Sequence, residues 1–247
     1  MSGHSKWSSI KHKKARTDAT RGKVFTKLIR EITVAAREGG GDSEANSRLR
    51  LAIQSAKAQN MPNDNIQRAI KKGTGDTDGV RFEESTYEGY GPAGVALLID
   101  VLTDNKNRTT AEVRHALTKW GGNLGEAGCV AWNFETKGVI RVNKEQCDEE
   151  TLLEVALEGG ADDVNEEVDF FEVYTEPAGL IAVSEAMKAG NIPYETAEVE
   201  KLPKSLVKVD GKDATKVLKL MEMLEDLDDV QRVSANFDIP DEVFHQE

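Results

Sequence analysis

The fold is decided above all by one stretch, GVIRVNKEQCDEETLLEVALEGG, which spans residues 138–160. Its first five residues predict a strand, and residues 148–158 predict a helix that ends at a Gly-Gly pair. Farther along, ADDVNEEV and DFFEVYTE predict two adjacent short strands, residues 179–188 a helix and residues 194–200 a strand. This order of strand, helix, two strands, helix and strand is typical of a ferredoxin-like domain.

The segments on either side contain further elements that this domain does not use. Before it, the candidates are two strands, a helix and a third strand, at 81–88, 94–102, 107–119 and 129–134. After it come a helix at 212–225 and a strand at 230–237, which are too few to fold alone. We therefore predict a middle α+β domain built from residues 78–134 and 203–247, into which the ferredoxin-like domain, residues 135–202, is inserted.

Three helices are predicted in the N-terminal part of the chain. Apolar residues recur at helical spacing from Phe25 to Ala36, and the glycines at 39–41 end this first helix. Two shorter helices lie before and after Pro62, which cannot continue a helix. The expected ends are Asp42 or Ser43 as the cap of the second helix, Asn63 or Asp64 as the cap of the third, and Gly73 as the residue that closes it.

A linker is predicted after these helices. The segment GTGDTDG at 73–79 is rich in Gly, Asp and Thr, which is typical of a connection between domains. It separates residues 1–77, a basic helical domain with a flexible N-terminal arm, from the parts that contain strands. The predicted fold class is α+β with three domains: an N-terminal three-helix domain and two α/β sandwich domains, one of them ferredoxin-like.

Charge is divided unevenly along the chain. Residues 1–75 carry a net charge of +10 and residues 76–247 carry −22, within a formal total of −12. A basic segment on an acidic chain predicts contact with a polyanion.

No run of about 18 apolar residues is present, so no membrane span is predicted. The N-terminus lacks an apolar signal region and the two cysteines fit no metal spacing, so we expect a cytoplasmic protein.

The positive charge is densest in GHSKWSSIKHKKARTDATRGKVFTKLIREI, residues 3–32. Nine Lys/Arg side chains and one acid lie between Lys6 and Arg30, and cations at this density neutralise phosphates and release their counterions. Trp7 offers a flat ring on which an unpaired base can stack. The alternative is a solvated terminus with Trp7 tucked against the first helix.

The first predicted helix continues this positive charge on one face. Lys23, Lys27, Arg30 and Arg37 lie together, opposite the apolar side, at 100° per residue. The predicted nucleic-acid-binding residues are Lys6, Trp7, Lys11, His12, Lys13, Lys14, Arg16, Arg21, Lys23, Lys27 and Arg30.

Two further motifs each have a structural and a ligand-binding interpretation. GYGPAG at 89–94 matches the dinucleotide pattern G-x-G-x-x-G, but a strand follows it and Pro92 lacks an N–H, so a turn between strands is favoured. In DNKNRTTAEVRH at 104–115, Asn107 or Thr109 is the expected cap of a helix. The candidates for a secondary phosphate contact at that helix N-terminus are Asn105, Asn107 and Arg108.

Signatures of catalysis are absent from the sequence. It contains no G-x-S-x-G, H-E-x-x-H or P-loop motif, so we predict no enzyme activity, no cofactor and no small-molecule substrate. A metal-dependent nuclease would need a site such as His4, His12 and Asp18, which would sit on the arm without supporting hydrogen bonds. No metal site is therefore predicted, and the acidic stretch EMLEDLDD at 222–229 is favoured as a solvated helix end.

Several long blocks of the sequence resemble the YebC/PmpR family. They are the segment at 3–32, NMPNDNIQRAIKKGTG at 60–75, YEGYGPAG at 87–94 and TDNKNRTTAEVRHALTKWGGNLGEAGCVAWNF at 103–134. The resemblance extends to the length and order of the whole chain. It implies one helical and two α/β domains in a cytoplasmic bacterial protein without a cofactor, and it supplies no catalytic residues.

The resemblance implies a regulator of gene expression whose partner is nucleic acid. Family members are described as DNA-binding transcriptional regulators. Their mitochondrial relatives resemble translational activators, of cytochrome c oxidase in one case, and some bacterial members have been linked to stalled ribosomes. The partner is thus either DNA or the rRNA and tRNA of the ribosome. The family description favours DNA, whereas a short arm that bears an aromatic residue suits irregular RNA.

Overall fold

The computed structural model describes Trp7, residues 18–75 and residues 81–240, with the backbone alone for residues 18–21. Within these residues the chain is α+β, because three helices come first and two four-stranded sheets with four further helices follow. The predicted fold class is therefore confirmed. None of the helices in this described part is long and apolar enough to cross a membrane.

The chain separates into two compact units. The first contains the described parts of residues 1–31, 76–135 and 202–247. The second contains residues 32–75 and 136–201. The predicted division into three domains, with boundaries after residues 77, 134 and 202, stays a prediction.

The helices and strands are numbered in chain order. The N-terminal helices are α1 (Asp18–Gly39), α2 (Ser47–Ala58) and α3 (Asn63–Thr74). The following elements are β1 (Glu83–Tyr90), β2 (Ala96–Thr103), α4 (Lys106–Lys119), β3 (Asn123–Leu124), β4 (Phe134–Asn143), α5 (Glu149–Glu158), β5 (Asp163–Glu166), β6 (Phe170–Thr175), α6 (Leu180–Ala189), β7 (Thr196–Pro203), β8 (Val207–Lys208), α7 (Gly211–Glu225), β9 (Val230–Ala235) and β10 (Phe237–Asp238).

The cap of α2 differs from the predicted one. Asn46, not Asp42 or Ser43, accepts a hydrogen bond from the Leu49 N–H at 3.0 Å. The amide of the same side chain donates to the carbonyl oxygens of Ala35 and Gly40, at 2.8 and 2.9 Å. Asn46 is therefore the better cap, because its side chain joins the end of α1 to the start of α2 while remaining buried.

The ends of α3 also differ from the prediction. The helix follows Pro62 directly and has no side-chain cap. Gly73 does not close α3 but lies inside it, one residue before the helix ends at Thr74. At this point α1 passes very close to α3. A Cβ at Gly73 would lie 2.4 Å from the Thr33 carbonyl oxygen and 2.8 Å from the Ala36 Cβ, so only glycine fits without displacement.

The first unit is built on a sheet in the order β3-β1-β2-β9, in which all three pairings are antiparallel. Alternate residues of β2 face opposite sides, as strand geometry requires. Leu97 and Ile99 enter the core that also contains Leu117 of α4 and Leu220 of α7. A short turn, Pro92–Gly94, joins β1 to β2, which confirms that GYGPAG is a turn between strands.

The predicted strand at 129–134 is wrong, because a turn at Ala131–Asn133 lies there and β4 begins only at Phe134. The cause is the buried carboxylate of Glu88, which accepts hydrogen bonds from the backbone of this loop. Amide groups that are bonded to a carboxylate are not available to a neighbouring strand. The three donors are the N–H groups of Gly128 at 2.6 Å, Val130 at 2.8 Å and Ala131 at 2.8 Å.

The second unit contains the other sheet, in the order β5-β6-β4-β7, with α5 and α6 between its strands in sequence. This is the predicted ferredoxin-like sequence of elements. Ile140 and Val142 of β4 share a core with Leu152 of α5 and Val183 of α6. Leu51 of α2 packs against the same core, so an N-terminal helix takes part in this unit.

Candidate nucleic-acid interface

The structure describes only part of the predicted interface. Lys6, Lys11, His12, Lys13, Lys14 and Arg16 lie outside the described residues, and so does the side chain of Arg21. The predicted residues whose side chains are described are Trp7, Lys23, Lys27, Arg30, Asn105, Asn107 and Arg108. All seven belong to the first compact unit.

The first half of α1 contacts what we call the acidic segment, residues 222–229, at the end of α7 and in the loop before β9. Lys23 Nζ lies 3.1 Å from Asp226 Oδ1. Lys27 Nζ donates to the carbonyl oxygen of Glu225 at 2.5 Å, where the helix C-terminus carries partial negative charge. The segment contains a helix end, as predicted, but it is not simply solvated, because it contacts these cations.

Arg30 makes the most buried of these contacts. Its Nη1 atom lies 2.7 Å from Oδ1 of Asp229, a carboxylate whose side chain is 2% exposed. The same atom is within hydrogen-bond distance of the carbonyl oxygens of Asp228, at 2.7 Å, and Leu102, at 3.3 Å. The guanidinium group also lies 5.3 Å from the ring centre of Phe82. Arg30 is thus held by charge, by hydrogen bonds and by an aromatic ring.

The secondary phosphate candidates converge on the same carboxylate. Arg108 donates to Asp229 Oδ2 through Nη2 at 2.7 Å and through Nε at 3.2 Å, and it pairs with Asp104 at 2.7 Å. Asn105 is the cap of α4, since its side chain accepts from the Arg108 N–H at 3.1 Å. The expected caps, Asn107 and Thr109, are wrong: Asn107 is exposed, and the buried Thr109 hydroxyl lies 2.7 Å from Asp229 Oδ2.

Asp229 is therefore the centre of a buried polar cluster. Burial raises its pKa, but hydrogen bonds from Thr109, Arg108, Arg30 and Thr103 outweigh burial and leave the pKa below the ordinary value. The hydrogen bond to Asp229 is also the main reason why the pKa of Arg108 is raised. The cluster is an ion-pair network in which one carboxylate holds a predicted primary cation, Arg30, and a predicted secondary cation, Arg108.

Trp7 differs from its expected placement. Its side chain is only 8% exposed and belongs to the core that contains residues of α4 and α7. The indole N–H donates to Glu225 Oε1 at 3.3 Å. An exposed ring for base stacking is not present in this arrangement, because the ring is buried in the apolar core of the first unit. The alternative predicts Trp7 against the first helix, whereas Trp7 lies in the core of the first unit.

A second set of cations, not identified from the sequence, lies on α3. Arg68, Lys71 and Lys72 are all exposed. The opposite side of the helix is buried through Ile66 and Ala69, together with Gly73. The segment IQRAIKK carries the signal, because helical spacing from Ile66 places the three cations on one outward face. We call Arg68, Lys71 and Lys72 the α3 cations.

Buried charges in the second unit are paired with one another. Arg141 bonds Glu172 at 2.9 Å and Glu200 at 2.6 and 3.0 Å, and Tyr174 donates to Glu172 at 2.5 Å. Burial and the neighbouring Glu172 raise the pKa of Tyr174. In the part of the chain that the structure describes, no three His, Cys, Asp or Glu side chains are grouped to hold a metal ion.

Comparison with protein families identifies the class of this protein. Residues 5–76 match the TACO1/YebC protein N-terminal domain, and residues 82–237 match the TACO1/YebC second and third domain. Together the two matches cover most of the chain, which therefore belongs to the TACO1/YebC family.

Individual relatives are similar over almost their full length. A "Probable transcriptional regulatory protein" of Geobacter sulfurreducens is 60% identical over 242 residues, 98% of each chain. One of Desulforapulum autotrophicum is 59% identical over 244 residues, 99% of each chain. The crystal structure of a conserved hypothetical protein from Aquifex aeolicus has a TM-score of 0.86 at 52% identity and covers 94% of this chain and 96% of its own. The last similarity shows that this chain has the same fold as that crystal structure.

Proposed function

We propose that this protein is a cytoplasmic regulator of gene expression that binds duplex DNA through its basic N-terminal segment, without catalysis. The observation that carries the proposal is the charge of residues 6–21, which hold six Lys/Arg and one acid on a chain of net charge −12. Cations at this density are the main source of affinity for nucleic acid. The name of these relatives, probable transcriptional regulatory protein, supports the same function.

The contacts that α1 makes within the chain reduce the number of its cations that are available to phosphates. Lys23, Lys27 and Arg30 already contact carboxylates and carbonyl groups of the same chain. Phosphates would have to compete with these partners. The proposal therefore assigns phosphate contact first to the six cations between Lys6 and Arg21, and only second to α1.

A ribosome-associated role is the second candidate. Its physical support from the sequence is a ring at Trp7 that could stack on unpaired bases of RNA. That ring is buried in the core, which weakens the support for RNA. Duplex DNA needs no stacking side chain, because phosphate contacts alone bind it.

The test is the triple variant Lys11→Ala, Lys13→Ala and Lys14→Ala. Its affinity for duplex DNA and for a structured RNA should be measured at several salt concentrations. We expect the slope of log affinity against log salt to fall by about 2–3 on DNA, because about 0.9 counterions are released per phosphate contact. The free energy of unfolding should change by less than about 0.5 kcal/mol.

The matched control removes three exposed lysines from the acidic part of the chain: Lys204→Ala, Lys208→Ala and Lys212→Ala. It changes the net charge by the same amount as the arm variant, Lys11→Ala with Lys13→Ala and Lys14→Ala. It should leave the slope of log affinity against log salt unchanged. If the arm variant behaves like this control on both nucleic acids, the proposed function is wrong. Loss of ribosome co-sedimentation, with DNA affinity unchanged, would establish the second candidate in its place.

A further inference from the structure

The α3 cations lie on a face that is fixed by tight packing behind it. Ile66 is 1% exposed and Ala69 3%, so the inner side of α3 is covered at these two positions. The Thr33 hydroxyl of α1 donates to the Ala69 carbonyl oxygen at 3.4 Å. A Cβ at Gly73 would lie 2.4 Å from the Thr33 carbonyl oxygen, so the backbones of α3 and α1 are in close contact at this point. The outward face of α3, which carries the three cations, is therefore the face that points away from α1.

The α3 cations have no acidic partner among the residues that the structure describes. Arg68 donates only to its own helix, to the Asp64 carbonyl oxygen at 3.1 Å and to Asn65 Oδ1 at 3.2 Å. Within the described ranges, Lys71 and Lys72 make no ion pair and no side-chain hydrogen bond. All three side chains are exposed, so they are accessible to an anion.

Several other cations of the same unit do pair with acids. Arg48 pairs with Glu38 at 2.7 Å, and Lys137 pairs with Glu176 at 2.5 Å. Acids are also plentiful, since residues 136–201 hold 17 Asp/Glu and 5 Lys/Arg. A shortage of carboxylates in the unit therefore does not explain why the α3 cations face none among the described residues.

The helix itself explains only part of this pattern. Lys71 and Lys72 lie in the last turn of α3, where cations interact favourably with the helix dipole by about 0.3–1 kcal/mol each. Arg68 lies before that turn. Its spacing to Lys71 (i, i+3) and to Lys72 (i, i+4) costs about 0.2–0.5 kcal/mol per like-charge pair. Helix stability alone therefore does not favour three cations on this face.

We infer that the α3 cations form a second phosphate-binding surface, separate from the N-terminal segment, for the sugar-phosphate backbone of a nucleic acid. This inference rests on the proposed function. Lys71 and Lys72 supply two point charges, and Arg68 supplies a planar group that binds phosphate through two parallel hydrogen bonds. Such a surface fixes the register of the protein on a nucleic acid without reading its sequence.

The test is the double variant Lys71→Gln and Lys72→Gln in the full chain, because glutamine removes the charge but keeps a long side chain that favours helix. Binding should be measured against salt on a duplex DNA and on an RNA hairpin. We expect the slope of log affinity against log salt to fall by about 2, because each neutralised phosphate contributes about 0.9 to it. The charge-conserving variant Lys71→Arg with Lys72→Arg should keep the wild-type slope. Lys208→Gln with Lys212→Gln is the matched control and should not change it.

The outcomes separate this inference from the proposed function. A lowered slope on both nucleic acids supports a shared phosphate contact, and a lowered slope on one alone identifies which of the two the α3 surface contacts. If the arm variant lowers the slope and the α3 variant does not, the α3 surface is refuted while the proposed function stands. If neither variant lowers it, both are refuted. A lower melting temperature with an unchanged slope would assign Lys71 and Lys72 to helix stability alone and overturn the inference.

Discussion

Three cations of α1 and the three α3 cations look alike in sequence but differ in what lies opposite them. Lys23, Lys27 and Arg30 meet the acidic segment, whose residues are about two hundred positions away, with 199 between Arg30 and Asp229. The α3 cations meet no acid among the described residues. A basic helix face therefore indicates a nucleic-acid contact only after its partners within the same chain are known.

The largest effect is expected at Trp7, whose burial ties the start of the chain to the core of the first unit. Trp7→Ala should reduce the free energy of unfolding by about 3–5 kcal/mol, the usual cost of emptying a buried Trp site. Urea unfolding followed by circular dichroism measures this loss. Trp7→Phe keeps a ring and removes the N–H that bonds Glu225, so a loss of about 1 kcal/mol is expected. Unchanged stability with loss of RNA binding would instead return Trp7 to a stacking role.

The next effect concerns the carboxylate that holds α1. Asp229→Asn should cost about 3 kcal/mol, because it leaves Arg30 and Arg108 without their shared partner in a buried cluster. The neighbouring Asp228→Asn is the matched control: only its carbonyl oxygen contacts Arg30, so a change below about 0.5 kcal/mol is expected. Equal effects of the two variants in urea unfolding would remove the distinction between the two cation sets.

The pH dependence of stability gives a second test of the role of Asp229. The folded-state pKa of Asp229 is below its ordinary value, so its contribution to stability is fully present above about pH 4 and is lost as pH falls through the folded pKa. Asp229→Asn should therefore make stability less dependent on pH below about pH 4, by up to about 1.4 kcal/mol per pH unit. Urea titrations between about pH 2.5 and 5 measure how the free energy of unfolding changes with pH in the wild type and in the variant. A steeper slope in the variant would contradict the role of Asp229.

The smallest effects are expected for single lysines, and they compare the two faces directly. Lys23 and Asp226 are exposed to 44% and 62%, so Lys23→Gln should cost less than about 1 kcal/mol. Its salt slope on DNA should stay near the wild-type value. Lys72→Gln should be equally mild for stability but should lower the slope by about 1. The reverse result would mean that phosphates displace the acidic segment from α1.

The order of elements is predictable because each element carries its own local signal. The sequence predicts a helix over residues 107–119 and α4 spans Lys106–Lys119, since apolar spacing and the following glycines act within a few residues. The ferredoxin-like order is confirmed for the same reason. The strand predicted at 129–134 is absent because the buried Glu88, about 40 positions earlier, takes the hydrogen bonds of that loop.

The site is less predictable, because most of its chemistry depends on contacts between distant residues. Nothing near Arg30 in sequence indicates Asp229, and the acidic segment resembles any solvated helix end until α1 is placed beside it. The α3 cations are accessible to sequence reasoning in principle. Once Gly73 is treated as a packing residue inside α3, the outward position of Lys71 and Lys72 follows from helical spacing alone.

The long separation between Arg30 and Asp229 has a consequence for synthesis. At about 5–20 residues per second, the 199 positions between them correspond to a delay of about 10–40 s. During that delay α1 has been made, but the carboxylate that will hold it has not. The acid-rich remainder of the chain is also made after the N-terminal 75 residues, whose net charge is +10. While it is being translated, this protein therefore passes from a polycation to a polyanion, and its most basic form exists only next to the RNA of the ribosome that makes it.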